Sequence, residues 1–153
     1  MTLAHWTAVA EHEATPAGKA SAAATAETAP AEQALSFLIS SDWVLGEARA
    51  LGIHISTAQV RRSYDRIRAQ QFHKLSQFHA FLRSSGETVA DLLFRVRLNV
   101  TSNRVQRHFE LGHGSAKQKG RALARFVVQF KGKWRARTYC AAAYLVSDCG
   151  NSF

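Results

Sequence analysis

Residues 115–137 read SAKQKGRALARFVVQFKGKWRAR and lead directly into residues 138–150, TYCAAAYLVSDCG. In the first segment apolar residues recur at i, i+3, i+4, i+7 and i+11, the spacing of a helix that buries one face. Lysines and arginines fill most of the other positions. The stretch therefore predicts a C-terminal amphipathic helix on a mainly α-helical core. Its apolar face consists of Leu123, Phe126, Val127, Phe130 and Trp134.

The chain's only two cysteines, Cys140 and Cys149, follow this helix and flank a segment with strand character. A two-stranded turn over residues 139–149 would bring the two sulfur atoms together, so we expect a short disulfide-stapled hairpin. The alternative, a redox-active pair, would favour the closer C-x-x-C spacing. A structural disulfide indicates an oxidising compartment.

Helical patterns also cover most of the chain upstream. The segment Glu32–Leu51 is apolar nearly all round, which is typical of a central, mostly buried helix. The segment Thr88–Phe109 carries two apolar stripes and should contact two different neighbours. We expect about five to six helices in all. The others are Leu3–Glu13, one that Ser56 begins through a capping box with Gln59, and a short one that Ser76 begins and Gly86 ends.

Composition divides the chain into three regions. Residues 1–13 form the N-terminal helix, and residues 32–150 form the helical domain. Between them, residues 14–31 are rich in Ala and Thr and contain both prolines of the chain. Such a segment has too few large apolar residues to bury a core, so we predict a flexible linker.

Positive charge is concentrated toward the C-terminus of a chain whose formal net charge is +9. From Thr101 onward ten lysines and arginines stand against two acids, Glu110 and Asp148. The excess favours an anionic partner, such as nucleic acid or a membrane surface, although a solvated helix face would show the same pattern. The aromatic residues of the last helix lie on its apolar face and not among the charges, which disfavours base stacking and a nucleic-acid role.

No constellation for catalysis, metal binding or cofactor binding is evident in the sequence. The seven histidines are scattered, and the two cysteines lack the spacing of a zinc site. Motifs such as HExxH, the P-loop and G-x-S-x-G do not occur. We therefore predict no catalytic residue, no metal and no cofactor.

Three stretches, taken in order, resemble the SurA/PrsA-type extracytoplasmic foldases. The first is ALSFLISSDWVLGEA at residues 34–48. The second combines FLRSSGET at residues 81–88 with DLLFRVRL at residues 91–98. The third, residues 126–149, is similar to the C-terminal ending of these proteins. The resemblance implies a SurA N-terminal-like helical chaperone module that binds unfolded or nascent exported polypeptides.

The resemblance also implies a parvulin prolyl-isomerase domain between the two parts of the module. Here only residues 111–118 separate them, which leaves no room for such a domain. We therefore expect a holdase. Peptidyl-prolyl isomerisation is the alternative that the family suggests, and nucleic-acid binding and an inactive remnant are two others.

An extracytoplasmic location, in the cell envelope or secreted, is a further implication of the resemblance. Residues 1–6 lack the form of a signal peptide and resemble the interior of an early segment of the family. We expect the export signal to lie upstream or to have been lost. No apolar run reaches the ~18 residues of a membrane span.

Four apolar residues are the candidates for a peptide-binding surface, because the helices carry more apolar stripe than one core requires. The alternative for each is a place in the core. The candidates are Trp43, Tyr64, Phe94 and Leu98.

Overall fold

The computed structural model describes residues 2–13 and 29–152, and within them the protein is mainly helical and has no strand. The predicted mainly α-helical fold is therefore confirmed. The predicted linker falls largely on residues 14–28, which lie outside the described residues. The helices are α1 (Leu3–Glu13), α2 (Pro30–Ala50), α3 (Thr57–Gln71), α4 (Leu75–Ser85), α5 (Val89–Glu110) and α6 (Ala116–Arg135), followed by a 3₁₀ turn at Ala142–Tyr144.

Side-chain caps fix the starts of α3, α5 and α6. The Ser56 hydroxyl accepts a hydrogen bond from the Gln59 amide at 3.2 Å, and the Gln59 side chain accepts one from the Ser56 amide at 2.8 Å. Thr88 pairs with Asp91 in the same way at the start of α5. These reciprocal bonds satisfy backbone N–H groups that a helix start otherwise leaves without partners. The predicted capping box at Ser56 is confirmed.

Two predicted helix starts are displaced. Helix α2 begins at Pro30, inside the segment predicted as linker, because proline suits the first turn of a helix, where its missing N–H is not needed. Helix α4 begins at Leu75 and not at a Ser76 cap, because the Gln77 side chain accepts the Lys74 amide at 3.1 Å. Ser76 is therefore already helical.

The apolar core consists of three small clusters that meet along α5. The first joins Val60 and Tyr64 of α3 with Phe78 of α4 and Val96 of α5. The second packs Phe94 of α5 against α1 and α2. In the third, Val105 of α5 packs with Ala48 and Phe126. The two apolar stripes predicted for this helix thus serve three neighbouring clusters.

Helix α1 packs back onto the core. The Trp6 side chain is 2% exposed, and its ring lies 4.6 Å from the Phe37 ring, centroid to centroid. The Arg95 guanidinium stands 5.0 Å from the Trp6 ring centroid, a cation–π distance. On the same helix, His5 Nε2 lies 2.9 Å from Oδ2 of the buried Asp91. The N-terminal helix is therefore part of the same folded unit as α2 and α5.

Helix α6 is held on α2 by a buried carboxylate. Glu47 is 6% exposed and accepts hydrogen bonds from Lys133 Nζ and Trp134 Nε1, both at 2.6 Å. One turn earlier, Trp43 Nε1 donates to the Thr138 hydroxyl at 2.7 Å. Charge-assisted bonds of this kind are stronger than neutral ones. They fix the orientation of α6 more closely than apolar packing alone.

The structure has no membrane-spanning helix among its described residues, since none combines the required length with sufficient apolar character.

Replacing Gly46 tests the contact between α2 and α6. A Cβ at this position would overlap the Trp134 ring, whereas a Cβ at Gly132, on the exposed side of α6, would meet nothing within 4 Å. Gly46→Ala should lower the free energy of unfolding by about 1–3 kcal/mol through overpacking. Gly132→Ala, the matched control, should raise it by about 0.5–1 kcal/mol, because alanine favours the helix. Urea denaturation measures both, and equal effects would refute the close contact.

Acid titration tests the buried Asp91. Burial raises the pKa of Asp91, but hydrogen bonds from the Thr88 hydroxyl and amide, together with His5, outweigh it and hold the pKa below its ordinary value of 3.8. A carboxyl whose folded pKa is depressed contributes stability above its unfolded pKa and loses it as the pH falls through the folded value. Asp91→Asn should therefore cost about 1–3 kcal/mol at neutral pH, and less below pH 4. Thermal unfolding at several pH values measures this cost. A cost that does not change with pH would contradict this account.

Candidate functional site

Two of the four predicted peptide-binding residues lie in the interior. Trp43 is 5% exposed and contacts the Phe130 ring edge-on, and Tyr64 is 6% exposed within the cluster shared by α3, α4 and α5. Trp43 lines none of the cavities described below, whereas Tyr64, although buried, contributes to the lining of the cavity that α3, α4 and α5 share. Both occupy the core positions that were the alternative for them.

The other two candidates, Phe94 and Leu98, are half-buried and do not line a common cavity. Phe94 packs against Trp6 and Phe37, and it also lines a cavity of about 610 Å³ between α3 and α5. Leu98 lines none of the cavities described here. The structure therefore distributes the four residues among different clusters and does not assemble them into one site.

Three neighbouring cavities lie in a row along α3, and each shares lining residues with the next. We call this row the α3 groove and its cavities the three segments of the groove; α4 lines the first two segments and α5 the last two. The corner segment, about 340 Å³, contains Leu75, Phe72 and Phe78. The apolar segment, about 300 Å³, is lined mainly by Ile67, Phe72, Phe78, Phe81 and Leu92. The cationic segment, about 320 Å³, contains Arg66, Arg104 and Arg107 together with Ser63, Asn99 and Asn103.

Three phenylalanines form the aromatic wall of the groove. Helix α3 ends at Gln71, and Phe72 is extended, with φ −125° and ψ 104°. This conformation turns the chain into α4 and brings the Phe72 ring to 5.4 Å from the Phe78 ring and 5.3 Å from the Phe81 ring, centroid to centroid. Phe78 is buried, while Phe72 and Phe81 stay partly exposed. The wall is therefore anchored in the core and open to a ligand.

The cationic segment lies at the other end of the groove. Arg66 comes from α3 and the other two arginines from α5, and all three are exposed. No acidic residue lines this segment, and in the described part of the chain none of the three arginines forms a salt bridge. The side-chain amide N–H of Asn103 donates to the side-chain Oδ1 of Asn99 at 3.1 Å. The segment therefore offers a positive charge with no internal counter-ion.

A second basic surface covers the outer side of α6, which we call the α6 outer face. Lys117, Arg121, Arg125 and Lys131 are exposed along it, and Val128 among them is 73% exposed. The apolar side of the helix packs on the core through Phe126 and Phe130. The predicted separation of apolar and basic sides is confirmed except at Val127, which was predicted for the apolar face and is 39% exposed. The cations surround a convex helix surface and not a pocket.

The predicted disulfide between Cys140 and Cys149 is confirmed, with a Cα–Cα distance of 5.7 Å, but the predicted hairpin is wrong. The Cys140 amide and carbonyl pair with the Asn151 side chain and not with an opposing strand. The Gly150 amide donates to the Thr138 carbonyl oxygen at 2.7 Å and closes the base of the loop. The alanine run at residues 141–143 enters a 3₁₀ turn because it lacks the branched side chains that favour strands.

Cys149 is 0% exposed, which bears on the choice between a structural and a redox-active pair. Thiol–disulfide exchange requires a thiolate to reach a sulfur atom, and burial blocks this approach on one side. The geometry therefore favours a structural disulfide, which is compatible with an oxidising compartment. Exposed apolar side chains remain around the loop, at Tyr139, Tyr144 and Leu145.

No group of three or more His, Cys, Asp or Glu side chains within residues 2–13 and 29–152 could hold a metal ion. The chain matches no protein-family model, no curated protein and no solved structure at a significant level. The candidate site therefore rests on the geometry of the α3 groove.

The sequence patterns selected Tyr64 among the residues that line this groove and missed the others. Phe78 and Phe81 carry the signal of an inward helix face, and the arginines of α3 and α5 carry that of solvated positions. No local pattern shows that α3, α4 and α5 leave a gap between them. One signal is available, since Phe72 follows the end of α3 and precedes a new helix start, a position where an aromatic residue often covers a core edge.

Removing the disulfide should destabilise the protein. In the chain-entropy model a loop of this length contributes about 2–3 kcal/mol, so Cys140→Ala/Cys149→Ala should lose that amount of unfolding free energy. Urea denaturation measures the loss, and dithiothreitol should produce a similar loss in the wild type and none in the variant. A thiol assay on unreduced protein from an oxidising host should find no free thiol. Two free thiols would contradict the disulfide.

Proposed function

We propose that this protein is a peptide-binding chaperone module that holds unfolded polypeptide segments in the α3 groove. The observation that carries the proposal is the aromatic wall of Phe72, Phe78 and Phe81, which is left open at the surface between three helices. Ligand sites are concave, largely apolar and supplied with a few polar groups. Arg68, Gln71 and Asn99 supply such groups along the groove.

The dimensions of the groove suit an extended peptide. It follows α3 from Ser63 to His73, which corresponds to about 15 Å at the helical rise of ~1.5 Å per residue. An extended chain covers this length with about four to five residues, at ~3.3 Å each. Two apolar side chains buried there would contribute about 3–6 kcal/mol, which corresponds to weak and reversible binding. A holdase requires binding of this kind, because it must release its clients.

The α3 groove is preferred over the larger cavity beside Phe94 for a structural reason. That cavity is bounded by α3 and α5 alone, through Val60, Leu93 and their neighbours. The α3 groove has walls from three helices and a row of aromatic rings, so a bound side chain loses more contact with water there. Its ligands are accordingly proposed to be unfolded segments exposing aromatic or aliphatic residues.

The proposed clients are unfolded or nascent exported polypeptides, and the proposed location is extracytoplasmic. The disulfide supports an oxidising compartment, and the resemblance to SurA/PrsA-type foldases supports both the compartment and the class of client. Prolyl isomerisation is not proposed, because residues 111–118 leave no room for a parvulin domain between the two parts of the module.

A second candidate function, binding to a polyanion such as nucleic acid or an anionic membrane surface, is favoured by the α6 outer face. Its exposed lysines and arginines follow one convex side of a helix, the arrangement that neutralises a row of phosphates. Such binding should weaken steeply as salt is raised, whereas binding of an uncharged apolar peptide in the α3 groove should not. Measuring polyanion binding and peptide binding over the same range of salt concentrations therefore separates the two functions.

Aggregation of an unfolded model client tests the chaperone proposal. The oxidised protein should suppress aggregation at near-stoichiometric ratios, and it should bind a labelled apolar peptide. Leu75→Ala, at the groove's corner segment, should weaken peptide binding about three- to tenfold through lost apolar contact. Leu111→Ala is the matched control, because Leu111 is 74% exposed and Leu75 is 60% exposed, but only Leu75 lines the groove.

Both leucines are exposed, so neither substitution should unfold the protein, and circular dichroism verifies this. Lack of suppression by a folded wild type would refute the chaperone proposal. Equal losses in the two variants would refute the α3 groove as its site. A proline-limited refolding assay on the same samples should show no acceleration of the slow phase.

A further inference from the structure

The apolar and cationic segments of the α3 groove are neighbours. Ile67 and Asn99 line both segments, so the two lie side by side along α3. A ligand that fills the apolar segment and continues along α3 must therefore enter the cationic segment. The chemistry of that second segment decides which ligands can continue.

The cationic segment concentrates positive charge without any compensation. Three arginines from two helices line a cavity of about 320 Å³, with Ser63 and two asparagines as additional polar groups. Among residues 2–13 and 29–152, no carboxylate lines either segment. Other cations of the same helices do have acidic partners. Arg61 of α3 pairs with Asp65 at 3.9 Å, and Arg95, which lines the apolar segment, pairs with Glu87. The charge without a carboxylate partner is therefore local to the cationic segment.

We propose that the α3 groove selects polypeptide segments in which acidic residues lie next to apolar ones. This inference rests on the proposed peptide-binding function and adds the class of client to it. Apolar side chains occupy the apolar segment against Phe72 and Phe81, and a carboxylate of the same segment pairs with Arg66, Arg104 or Arg107. Guanidinium groups suit this role because they bind carboxylates with two parallel hydrogen bonds.

The spacing along α3 gives the expected client pattern. Phe72 and Arg66 are six positions apart, which corresponds to about 9 Å along the helix. An extended peptide covers that distance in about three residues. The preferred segments should therefore carry a carboxylate about three residues away from an aromatic or aliphatic anchor. A segment with lysine at that position would place like charges together and be rejected.

Charge complementarity favours a peptide over a nucleic acid at this site. A polynucleotide carries phosphates at regular intervals and would have to place some of them against the aromatic wall. In the corner segment around Leu75 and Phe78, the lysine and arginine side chains that could pair with them are Arg68 and Lys74. The convex α6 outer face offers a longer row of cations for such a ligand. The α3 groove fits a ligand that is apolar at one end and anionic at the other.

Fluorescence anisotropy with a matched peptide set tests this inference. All the labelled peptides share a Phe-Leu anchor. Three residues away from the anchor they carry an acidic Asp-Glu pair, a neutral Asn-Gln pair or a basic Lys-Lys pair. Each of the three is made in two orders, with the pair before the anchor or after it. At low salt the acidic peptide should bind about tenfold more tightly than the basic one in at least one order, with the neutral peptide between them. The preference should shrink as salt is raised.

Two charge-matched triple variants locate the preference. Arg66→Gln/Arg104→Gln/Arg107→Gln removes three positive charges from the groove, and Lys117→Gln/Lys119→Gln/Arg121→Gln removes three from α6. The groove variant should bind the acidic peptide no more tightly than the neutral one, while the α6 variant should keep the preference. All six side chains are exposed, so both variants should keep the wild-type melting temperature within a few degrees.

The outcomes separate the two proposals. If the acidic and neutral peptides bind the wild type with equal affinity in both orders, the acidic selectivity is wrong and peptide binding stands. If the α6 variant loses the preference as fully as the groove variant, the effect comes from net charge, and the assignment to the groove is wrong. If no peptide binds the folded wild type, the proposed function itself fails.

Discussion

Helix α5 is the constraint on which the rest of the structure depends, because it contributes to all three apolar clusters. Val96 belongs to the cluster with α3 and α4, Phe94 to the one with α1 and α2, and Val105 to the one with α6. None of these clusters is large enough to fold alone, since a small core supplies only a few kcal/mol. Their stability therefore depends on sharing one helix. A change that bends α5 would disturb every helix pair at once.

Buried carboxylates hold the peripheral helices to this centre. Asp91 lies between α5 and α1 beside His5, and Glu47 lies between α2 and α6 beside Lys133 and Trp134. Burying a charge is costly unless it is paired and hydrogen-bonded, so these positions specify one arrangement of neighbours. Apolar packing brings the helices together, and the carboxylates fix their register. Sequence patterns could not reveal Glu47 in this role, because it looks like an ordinary polar position on a mostly apolar helix.

The sequence predicted what depends on neighbouring residues and missed what depends on distant ones. The helix starts at Ser56 and Thr88 were predictable, since a capping box involves residues three positions apart. The disulfide was predictable from two cysteines nine positions apart. The candidate site was predictable only in part: Tyr64 lines the groove, but Trp43, which lies in the core, looks as accessible in a helical pattern as Phe81 does. Whether an aromatic residue faces a neighbouring helix or a gap depends on how α3, α4 and α5 cross, which no local pattern records.

The α3 groove also differs energetically from the rest of the protein. Where α2 and α6 pack against each other, the cation has an acidic partner, since Lys133 pairs with Glu47. In the groove, partly exposed aromatic rings adjoin the cationic segment, whose arginines pair with no acidic residue of the described chain. This arrangement adds no stabilising contact to the fold, and repulsion among the arginines disfavours it. Positions that depart from locally optimal stability are expected where a protein serves a function. A ligand with apolar and acidic groups would remove both departures together, and this is the physical reason to seek the protein's activity at the α3 groove.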